Sequence, residues 1–161
     1  MTNSIDKTGK TERFGEGQTL MVLGMPHIVK VWSEQNVART SVMETVIPPG
    51  LGVPLHTHAN EDEFFCVLQG ELTVQMAGWA EPKTLKPGDF VFLPRSSTHG
   101  FINASREETR MLVTVTPGTG SDGMFKDLAK ACETCTDAQK LFPEVGRICA
   151  SYGVVFAPME R

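Results

Sequence analysis

The sequence predicts an all-β sandwich or barrel followed by a short helical segment, and three observations support this fold class. Short apolar or alternating runs of strand length recur between residues 19 and 116. Turn-forming segments rich in proline and glycine separate these runs, and no helical period intervenes. After Gly123 the apolar residues change to helical spacing. Many short strands without intervening helices are typical of a sandwich or a barrel.

Seven strands are predicted between residues 19 and 116. They cover residues 19–23, 28–32, 39–47, 64–68, 72–76, 90–93 and 111–115. The turns that separate them lie at residues 48–50, 69–70, 86–89 and 117–118. Residues 1–18 are polar and predict a loose, flexible arm that orders only against the domain or a partner chain. We therefore expect the β-barrel to occupy residues 19–118.

Residues 119–161 predict a helical appendix that packs on the barrel. Apolar residues first recur at helical spacing, and Ser121 or Asp122 suits the N-cap of that helix. A second helix is expected to begin at Pro143, because a missing N–H costs nothing in the first turn. The last apolar residues, 154–157, are expected to return as a strand.

The composition excludes several classes of function. A chain of 161 residues is long enough for one barrel with a buried core. Its 15 Lys and Arg against 19 Asp and Glu give a net charge of −4, whereas proteins that bind nucleic acid usually carry a basic excess. The polar N-terminus lacks the apolar core of a secretory signal, and no later stretch is apolar enough to span a membrane. We therefore expect a cytoplasmic protein that binds neither nucleic acid nor membrane.

Three histidines and one glutamate form a pattern typical of a metal site. His56 and His58 lie two apart on a predicted strand, so both imidazoles face the same side. Glu63 opens the next strand, and His99 lies in a later strand bounded by proline. Three imidazoles and one carboxylate suit Fe, Mn, Ni, Cu, Co or Zn better than Mg or Ca. The alternatives are ordinary strand residues near a rim, or a metal held for structure alone. His27, in a predicted turn, is expected to be a surface or hydrogen-bonded residue.

The spacing of these residues carries a resemblance to a known family. Two strings of residues are involved: Gly50-x5-His56-x-His58-x4-Glu63-x6-Gly70 and Gly88-x5-Pro94-x4-His99-x3-Asn103. They resemble the two sequence motifs of the cupin superfamily, whose members are small jelly-roll β-barrels. The first string matches at every fixed position. The second departs from the family pattern at Ser96, where a glycine is usual.

The resemblance implies a cupin double-stranded β-helix. Pro94-Arg95, the run from His99 to Asn103 and the tail Tyr152-Gly153-Val154 look like single-domain bacterial cupins related to quercetin 2,3-dioxygenase. In that family three histidines and one glutamate bind one divalent metal. This implies a ligand set of His56, His58, Glu63 and His99 in the present chain. Small cupins commonly pair, so a homodimer is expected as well.

The leading functional expectation is a metal-dependent, dioxygenase-like oxidoreductase that acts on a small aromatic or enolisable compound. Three neutral imidazoles and one carboxylate leave a divalent metal with a net charge of about +1, which stabilises an anion such as an enolate. Glu63 is also a candidate catalytic base. The candidate pocket residues are Phe65, Val67, Phe92 and Phe101. The alternatives are an isomerase, decarboxylase or lyase that works through an enolate, and a non-enzymatic metal-bearing module that binds a small molecule.

Overall fold

The computed structural model describes residues 9–158, so residues 1–8 of the predicted arm and residues 159–161 of the appendix lie outside it. The described chain forms eleven strands, one short 3-10 helix at Ser33–Gln35 and two α-helices. The strands are β1 Gln18–Val22, β2 Met25–Val31, β3 Ser41–Ile47, β4 Gly52–His58, β5 Asp62–Gln69, β6 Leu72–Met76, β7 Lys83–Leu85, β8 Phe90–Leu93, β9 Thr98–Ile102, β10 Thr109–Thr116 and β11 Val154–Phe156. The helices are α1 Thr119–Thr134 and α2 Ala138–Ser151.

The strands form two antiparallel sheets. One sheet has the order β1-β2-β3-β10-β5-β8, and the other has the order β11-β4-β9-β6-β7. The main core contains Phe65 and Met111 from the first sheet and Leu72 and Val74 from the second, so the core lies between the two sheets. This arrangement confirms the predicted all-β, jelly-roll fold with a C-terminal helical segment. Within residues 9–158, no helix is long and apolar enough to cross a membrane.

Alternation along the strands decides which side chains enter the interior. In β5 the residues Glu63, Phe65 and Val67 are buried, whereas their neighbours in the strand are more exposed. The eight residues of β10 alternate in the same way between buried and partly exposed positions. Successive side chains of a strand point to opposite faces, so Glu63 shares the inner face with the core residue Phe65.

The described part of the predicted arm lies against the barrel at Glu44. The backbone N–H of Gly15 donates a hydrogen bond to Glu44 Oε2 at 2.9 Å. Lys30 and Arg110 pair with the same carboxylate at 3.0 and 2.9 Å. Burial raises the pKa of Glu44, but these hydrogen bonds and the charge of Lys30 outweigh it, and the pKa falls below its ordinary value. Glu44 is therefore ionised at neutral pH and fixes residues 13–16 to the first sheet.

The two helices cover the side of the barrel where both sheets end. β1 is the edge strand of the first sheet and β11 is the edge strand of the second. Val22 and Val154, from these edges, pack in one apolar cluster with Met124 and Leu128 of α1 and Ile148 of α2. The helices therefore close the gap between the sheets, and their apolar faces become part of the interior.

The predicted start of each helix is wrong. Helix α1 begins at Thr119, and Asp122 lies inside its first turn rather than at the N-cap. The Asp122 carboxylate accepts hydrogen bonds from the N–H and the hydroxyl of Ser33, at 2.8 and 2.6 Å, and from the hydroxyl of Ser41. Asp122 therefore does not cap the helix. Its carboxylate instead links α1 to Ser33 and Ser41 of the barrel.

Helix α2 begins at Ala138 and not at Pro143, which lies inside the helix. The Asp137 side chain caps this earlier start by accepting a hydrogen bond from the N–H of Gln139 at 3.0 Å. Pro143 lacks an N–H and therefore removes one hydrogen bond of the helix. The apolar face that follows it, which includes the buried Val145, is packed in the interior and stabilises the helix across the proline.

Candidate metal centre

Four buried side chains converge between the two sheets. His56 and His58 come from β4, Glu63 comes from β5 and His99 comes from β9. Each offers one ligand atom, and these four atoms all lie within 4.8 Å of one another. His56 and His99 are opposite each other in the antiparallel pair of β4 and β9, with ring centroids 4.6 Å apart. The structure thus brings together the four residues that the sequence pattern singled out.

The distances within this cluster indicate a site for a cation. Nε2 of His56 lies 3.1 Å from Nε2 of His58. Oε2 of Glu63 lies 2.9 Å from Nε2 of His99 and 3.5 Å from Nε2 of His58. Two imidazole nitrogens that face each other with lone pairs repel, so this approach requires a proton or a metal ion between them. A transition metal with bonds of about 2.1 Å to nitrogen separates neighbouring ligand nitrogens by roughly 3 Å, which fits the observed spacing.

Backbone carbonyls orient two of the rings. Nδ1 of His56 lies 2.8 Å from the carbonyl oxygen of Pro54, and Nδ1 of His99 lies 3.2 Å from that of Ser97. A carbonyl oxygen only accepts, so each Nδ1 carries the ring proton and donates it. Nε2 of each ring is then unprotonated and directs its lone pair to the centre of the cluster. This is the tautomer that a metal ligand needs.

Glu61 is a residue of the site that sequence reasoning missed. It is 3% exposed, and its Oε2 lies 3.4 Å from Nδ1 of His58. Neither atom has a well-formed hydrogen bond to any other described residue. A Cβ built on Gly120 would lie 2.8 Å from Oε1 of Glu61, so the first turn of α1 packs directly on this carboxylate. The only sequence signal for a role of Glu61 in the site is its position two residues before Glu63. That position is equally typical of a solvent-exposed turn.

The pKa shifts of His56 and Glu63 match the protonation states that a metal site requires, whereas that of His58 favours a proton that a metal would have to displace. Burial lowers the pKa of His56 to about 4, so this imidazole is neutral at neutral pH. Burial also lowers the pKa of His58, but the carboxylates of Glu61 and Glu63 outweigh it and raise the pKa above its ordinary value. Burial raises the pKa of Glu63, yet its close contact with His99 and the positive potential of the nearby histidines lower it by more, and the net pKa is below the ordinary value. Glu63 is therefore an anion, ready to hold a cation.

The loop before His99 contains the departure from the family pattern. Ser96 has a φ of +64°, in the left-handed region that favours glycine. Its N–H donates a hydrogen bond to the carbonyl oxygen of His58 at 2.7 Å. The serine therefore adopts the backbone conformation of the usual glycine, and the loop holds the strand of His99 against the end of β4.

The cluster opens onto a cavity of about 120 Å³ with a mainly apolar wall. Phe65 and Phe101 line this cavity, as expected from the sequence. Val67 is buried in the core beside it and is not part of the wall. The expectation for Phe92 was wrong, because its ring is 46% exposed on the outer face and stacks on Phe64 at 5.0 Å. In β8 the alternation turns Val91 and Leu93 inward and therefore Phe92 outward.

His27 is a second residue whose position the sequence did not show. The expected turn lies earlier, at residues 23–24, and His27 lies on β2 with 6% exposure. Its hydrogen bond was expected and is confirmed, because Nδ1 lies 3.0 Å from the hydroxyl oxygen of Thr45. Burial lowers the pKa of His27 to about 4. Both His27 and Thr45 line the cavity onto which the metal-site residues open.

Comparison with known proteins agrees with this fold and this cluster. Residues 43–115 match the model of the cupin domain family, and the two-sheet fold described above agrees with this match. The match contains the whole cluster from His56 to His99.

Two curated proteins and one solved structure illustrate the relationship. Over 70 residues the chain is 36% identical to germin-like protein 1 of Brassica napus, which covers 42% of this chain and 33% of that protein. Over 73 residues it is 32% identical to an uncharacterized protein of Aquifex aeolicus, which covers 45% of this chain and 59% of that one. The chain thus spans about a third and about three fifths of these relatives. The structure of KdgF from Halomonas sp. superimposes with a TM-score of 0.58 at 21% identity, covering 68% of this chain and 94% of that one. At this identity it shows the fold alone.

Proposed function

We propose that this cupin is a metal-dependent, dioxygenase-like enzyme that acts on a small aromatic or enolisable compound. The observation that carries the proposal is the position of the His56, His58, Glu63 and His99 cluster at the wall of an apolar cavity. These four residues would hold one divalent transition metal, which is Fe, Mn, Ni, Cu, Co or Zn by the chemistry of the donors. Such a metal would supply Lewis acidity toward an anionic substrate oxygen and, if redox-active, a route to reaction with dioxygen.

The protein groups around the cluster prepare it for this chemistry. The carbonyls of Pro54 and Ser97 fix two imidazole tautomers, so Nε2 of His56 and Nε2 of His99 need not lose a proton before they bind a metal. The apolar wall excludes water, which strengthens each electrostatic interaction with a bound substrate. Glu63 uses Oε2 for its contacts with the histidines, and its Oε1 has no hydrogen-bond partner within residues 9–158. Oε1 is the atom that would accept a proton from a substrate carbon or hydroxyl.

A redox-neutral reaction is the second candidate. The free Oε1 of Glu63 favours it, because proton abstraction beside a carbonyl gives an enolate without any oxidant. Such a reaction would make the protein an isomerase, a decarboxylase or a lyase. The wall of the cavity limits the substrate in either case: no Lys or Arg of the described chain lines it. Apart from the metal itself, a phosphate or another multiply charged group would find no cationic partner there, so a neutral or singly charged compound fits best.

A metal assay coupled to oxygen uptake tests the proposal. The protein is purified without chelator, loaded with each candidate metal, and analysed by elemental analysis and an oxygen electrode over a panel of one-ring phenols and 1,3-diketones. We expect about one metal per chain, lost in His99→Ala and kept in Thr57→Val. Thr57 is the matched control because it lies between the two ligand histidines, and its hydroxyl contacts Thr98 instead, at 2.9 Å.

The outcomes of this assay separate the candidates. Oxygen uptake with product formation supports the dioxygenase-like reaction, and turnover of the same panel without oxygen supports the redox-neutral one. Binding without product under every metal would make the protein a small-molecule binding module and would contradict the enzyme proposal. A wild-type chain that cannot be loaded with any metal would refute the site itself.

We also propose that the chain forms a homodimer through the outer face of β5 and β8. Phe90 and Phe92 are 60% and 46% exposed there; the ring of Phe64 stacks on Phe92 at a centroid distance of 5.0 Å and lies tilted against Phe90 at 6.0 Å. An exposed aromatic cluster on an edge strand is typical of a protein interface. Sedimentation should show a dimer that Phe92→Asp dissociates, whereas Val155→Asp on β11 leaves it intact. A monomeric wild type would refute this interface.

A further inference from the structure

We propose that His27, held by Thr45, is a substrate-recognition residue that donates a hydrogen bond from Nε2 to an oxygen of the ligand inside the cavity. The inference rests on the proposed function and narrows its substrate class. The ligand is an apolar body about the size of one aromatic ring, with an oxygen acceptor at the end that faces His27. Its reacting group then faces the His56, His58, Glu63 and His99 cluster.

The position of His27 is the first observation. His27 and Thr45 are opposite each other in the antiparallel pair of β2 and β3. Apart from the residues of the metal cluster, they are the only polar side chains among the described residues that line the cavity. The ring of Phe125, from α1, lies 4.7 Å from the ring of His27 and covers it from the helix side. One polar pair therefore stands in a wall that is otherwise apolar.

The hydrogen-bond pattern decides what this pair offers to a ligand. Thr45 Oγ1 and His27 Nδ1 are 3.0 Å apart, and neither side chain makes another hydrogen bond within residues 9–158. If Nδ1–H donated to Oγ1, the hydroxyl proton of Thr45 would be left without an acceptor in the interior. If the hydroxyl donates to Nδ1, both atoms are satisfied and the ring proton is on Nε2. Each arrangement leaves one polar hydrogen without a partner, on the Thr45 hydroxyl in the first and on Nε2 of His27 in the second. The second is favoured, because a neutral histidine intrinsically prefers the tautomer with its proton on Nε2.

The resulting Nε2–H is an unpaired donor in an apolar cavity. His27 is more than nine-tenths buried, and residues 9–158 provide no acceptor for Nε2. Burial keeps the ring neutral, with a pKa of about 4, so the donor adds no charge to the cavity. A neutral donor matches a carbonyl, ether or phenol oxygen. A ligand that supplies such an oxygen satisfies the free Nε2–H of His27.

The size of the cavity limits the ligand further. Its volume is about 120 Å³. An apolar cavity of about 150 Å³ in another protein admits benzene, so the present cavity is close to the size of one ring. A ligand with several fused rings would have to extend beyond the enclosed part. The geometry therefore points to a one-ring compound with two separate oxygen groups as the natural substrate class.

Two probes of the same shape test the role of His27. Acetophenone carries a carbonyl acceptor and ethylbenzene does not, and both have one ring and a two-carbon substituent. Their affinities are measured by NMR titration of the full-length chain, as purified and again after chelation. We expect His27→Leu to lower the acetophenone-to-ethylbenzene affinity ratio about tenfold, which is the loss of one hydrogen bond. His27→Gln, which retains a donor, should restore part of the ratio.

Controls separate recognition from folding and from the metal site. Ile28→Val changes the buried neighbour of His27 on β2, which does not line the cavity, so it should leave the affinity ratio unchanged. Long-range proton–nitrogen correlation of histidine-labelled protein should show the proton of His27 on Nε2. A proton on Nδ1, an unchanged ratio in His27→Leu, or no binding of either probe would each overturn the inference.

The failure of this inference is distinguishable from that of the proposed function. A chain that takes up no metal but keeps the His27-dependent ratio refutes the metal enzyme and leaves the recognition role intact. A chain that takes up metal but shows no such ratio refutes the recognition role alone.

Discussion

Replacing His27 by glutamine should remove a component of the pH dependence of stability. Burial lowers the pKa of His27 to about 4 in the folded protein, whereas an unperturbed histidine titrates near 6.5. Below pH 6.5 the unfolded chain binds a proton that the folded chain does not bind, so the free energy of unfolding falls as the pH falls from 6.5 toward 4. The difference between the two pKa values is roughly 2.5, and each whole pKa unit is worth about 1.36 kcal/mol. The free energy of unfolding therefore falls by about 3 kcal/mol over this window. At pH 5 the loss is about 2 kcal/mol.

Urea unfolding of wild type and His27→Gln, in chelator at about pH 7.5 and about pH 5, measures this loss. Other titrating groups are common to both proteins and cancel in the comparison. The substitution itself changes the free energy of unfolding by the same amount at both pH values. On acidification, the free energy of unfolding of the wild type should therefore fall by about 2 kcal/mol more than that of the variant. Met43→Leu, which changes the same cavity without a titrating group, should follow the wild type. Parallel losses in wild type and His27→Gln would refute the buried, neutral imidazole.

Three further substitutions test the contacts around the site. Asp122→Ala should lower the free energy of unfolding in urea by about 3–5 kcal/mol, because two serine hydroxyls and the N–H of Ser33 lose a buried acceptor. Asp127→Ala, at an exposed position of the same helix, should cost about 1 kcal/mol or less, and equal losses would contradict the argument. Glu61→Gln should weaken metal binding about 10- to 100-fold in a chelator competition, and an unchanged affinity would exclude its support of the ligand. Ser96→Gly should raise the free energy of unfolding by about 0.5–1 kcal/mol, because glycine adopts a positive φ without strain; a decrease would contradict this.

The metal cluster was predictable from the sequence because its geometry follows from strand periodicity. Two residues two apart on a strand share a face, so His56 and His58 point the same way wherever the strand lies. The spacing to Glu63 spans one turn between paired strands, and the matching position of His99 reflects the pairing of β4 with β9. Each relation is local, or is set by the register of one strand pair. A fixed spacing of residues in the sequence is therefore enough to predict the geometry of the cluster.

Other features were not predictable, because they depend on packing between distant segments. Glu61 lies in a turn, and only the first turn of α1 above it shows that it is buried. Phe92 has the same apolar character as Phe65, and a shift of one residue in register decides which of them faces inward. Asp122 suits an N-cap by type, yet hydroxyl groups on Ser33 and Ser41, which lie 89 and 81 positions earlier in the chain, determine its place. No local pattern contains these contacts.

The residues of the cluster lie within the family motifs, whereas the residues proposed to select the substrate lie outside them. The ligand residues belong to β4, β5 and β9, whose spacing defines the family motifs. His27 on β2 and Phe125 on α1 line the cavity from elements outside those motifs. Because α1 and α2 close the gap between the edge strands β1 and β11, substitutions on these helices alter the cavity without touching the cluster. Under the proposed function, relatives that share the motifs but differ in this wall would bind the same metals and accept different substrates. For this reason the match over residues 43–115 supports the proposed metal site, and the proposed substrate class is argued from His27 and its surroundings.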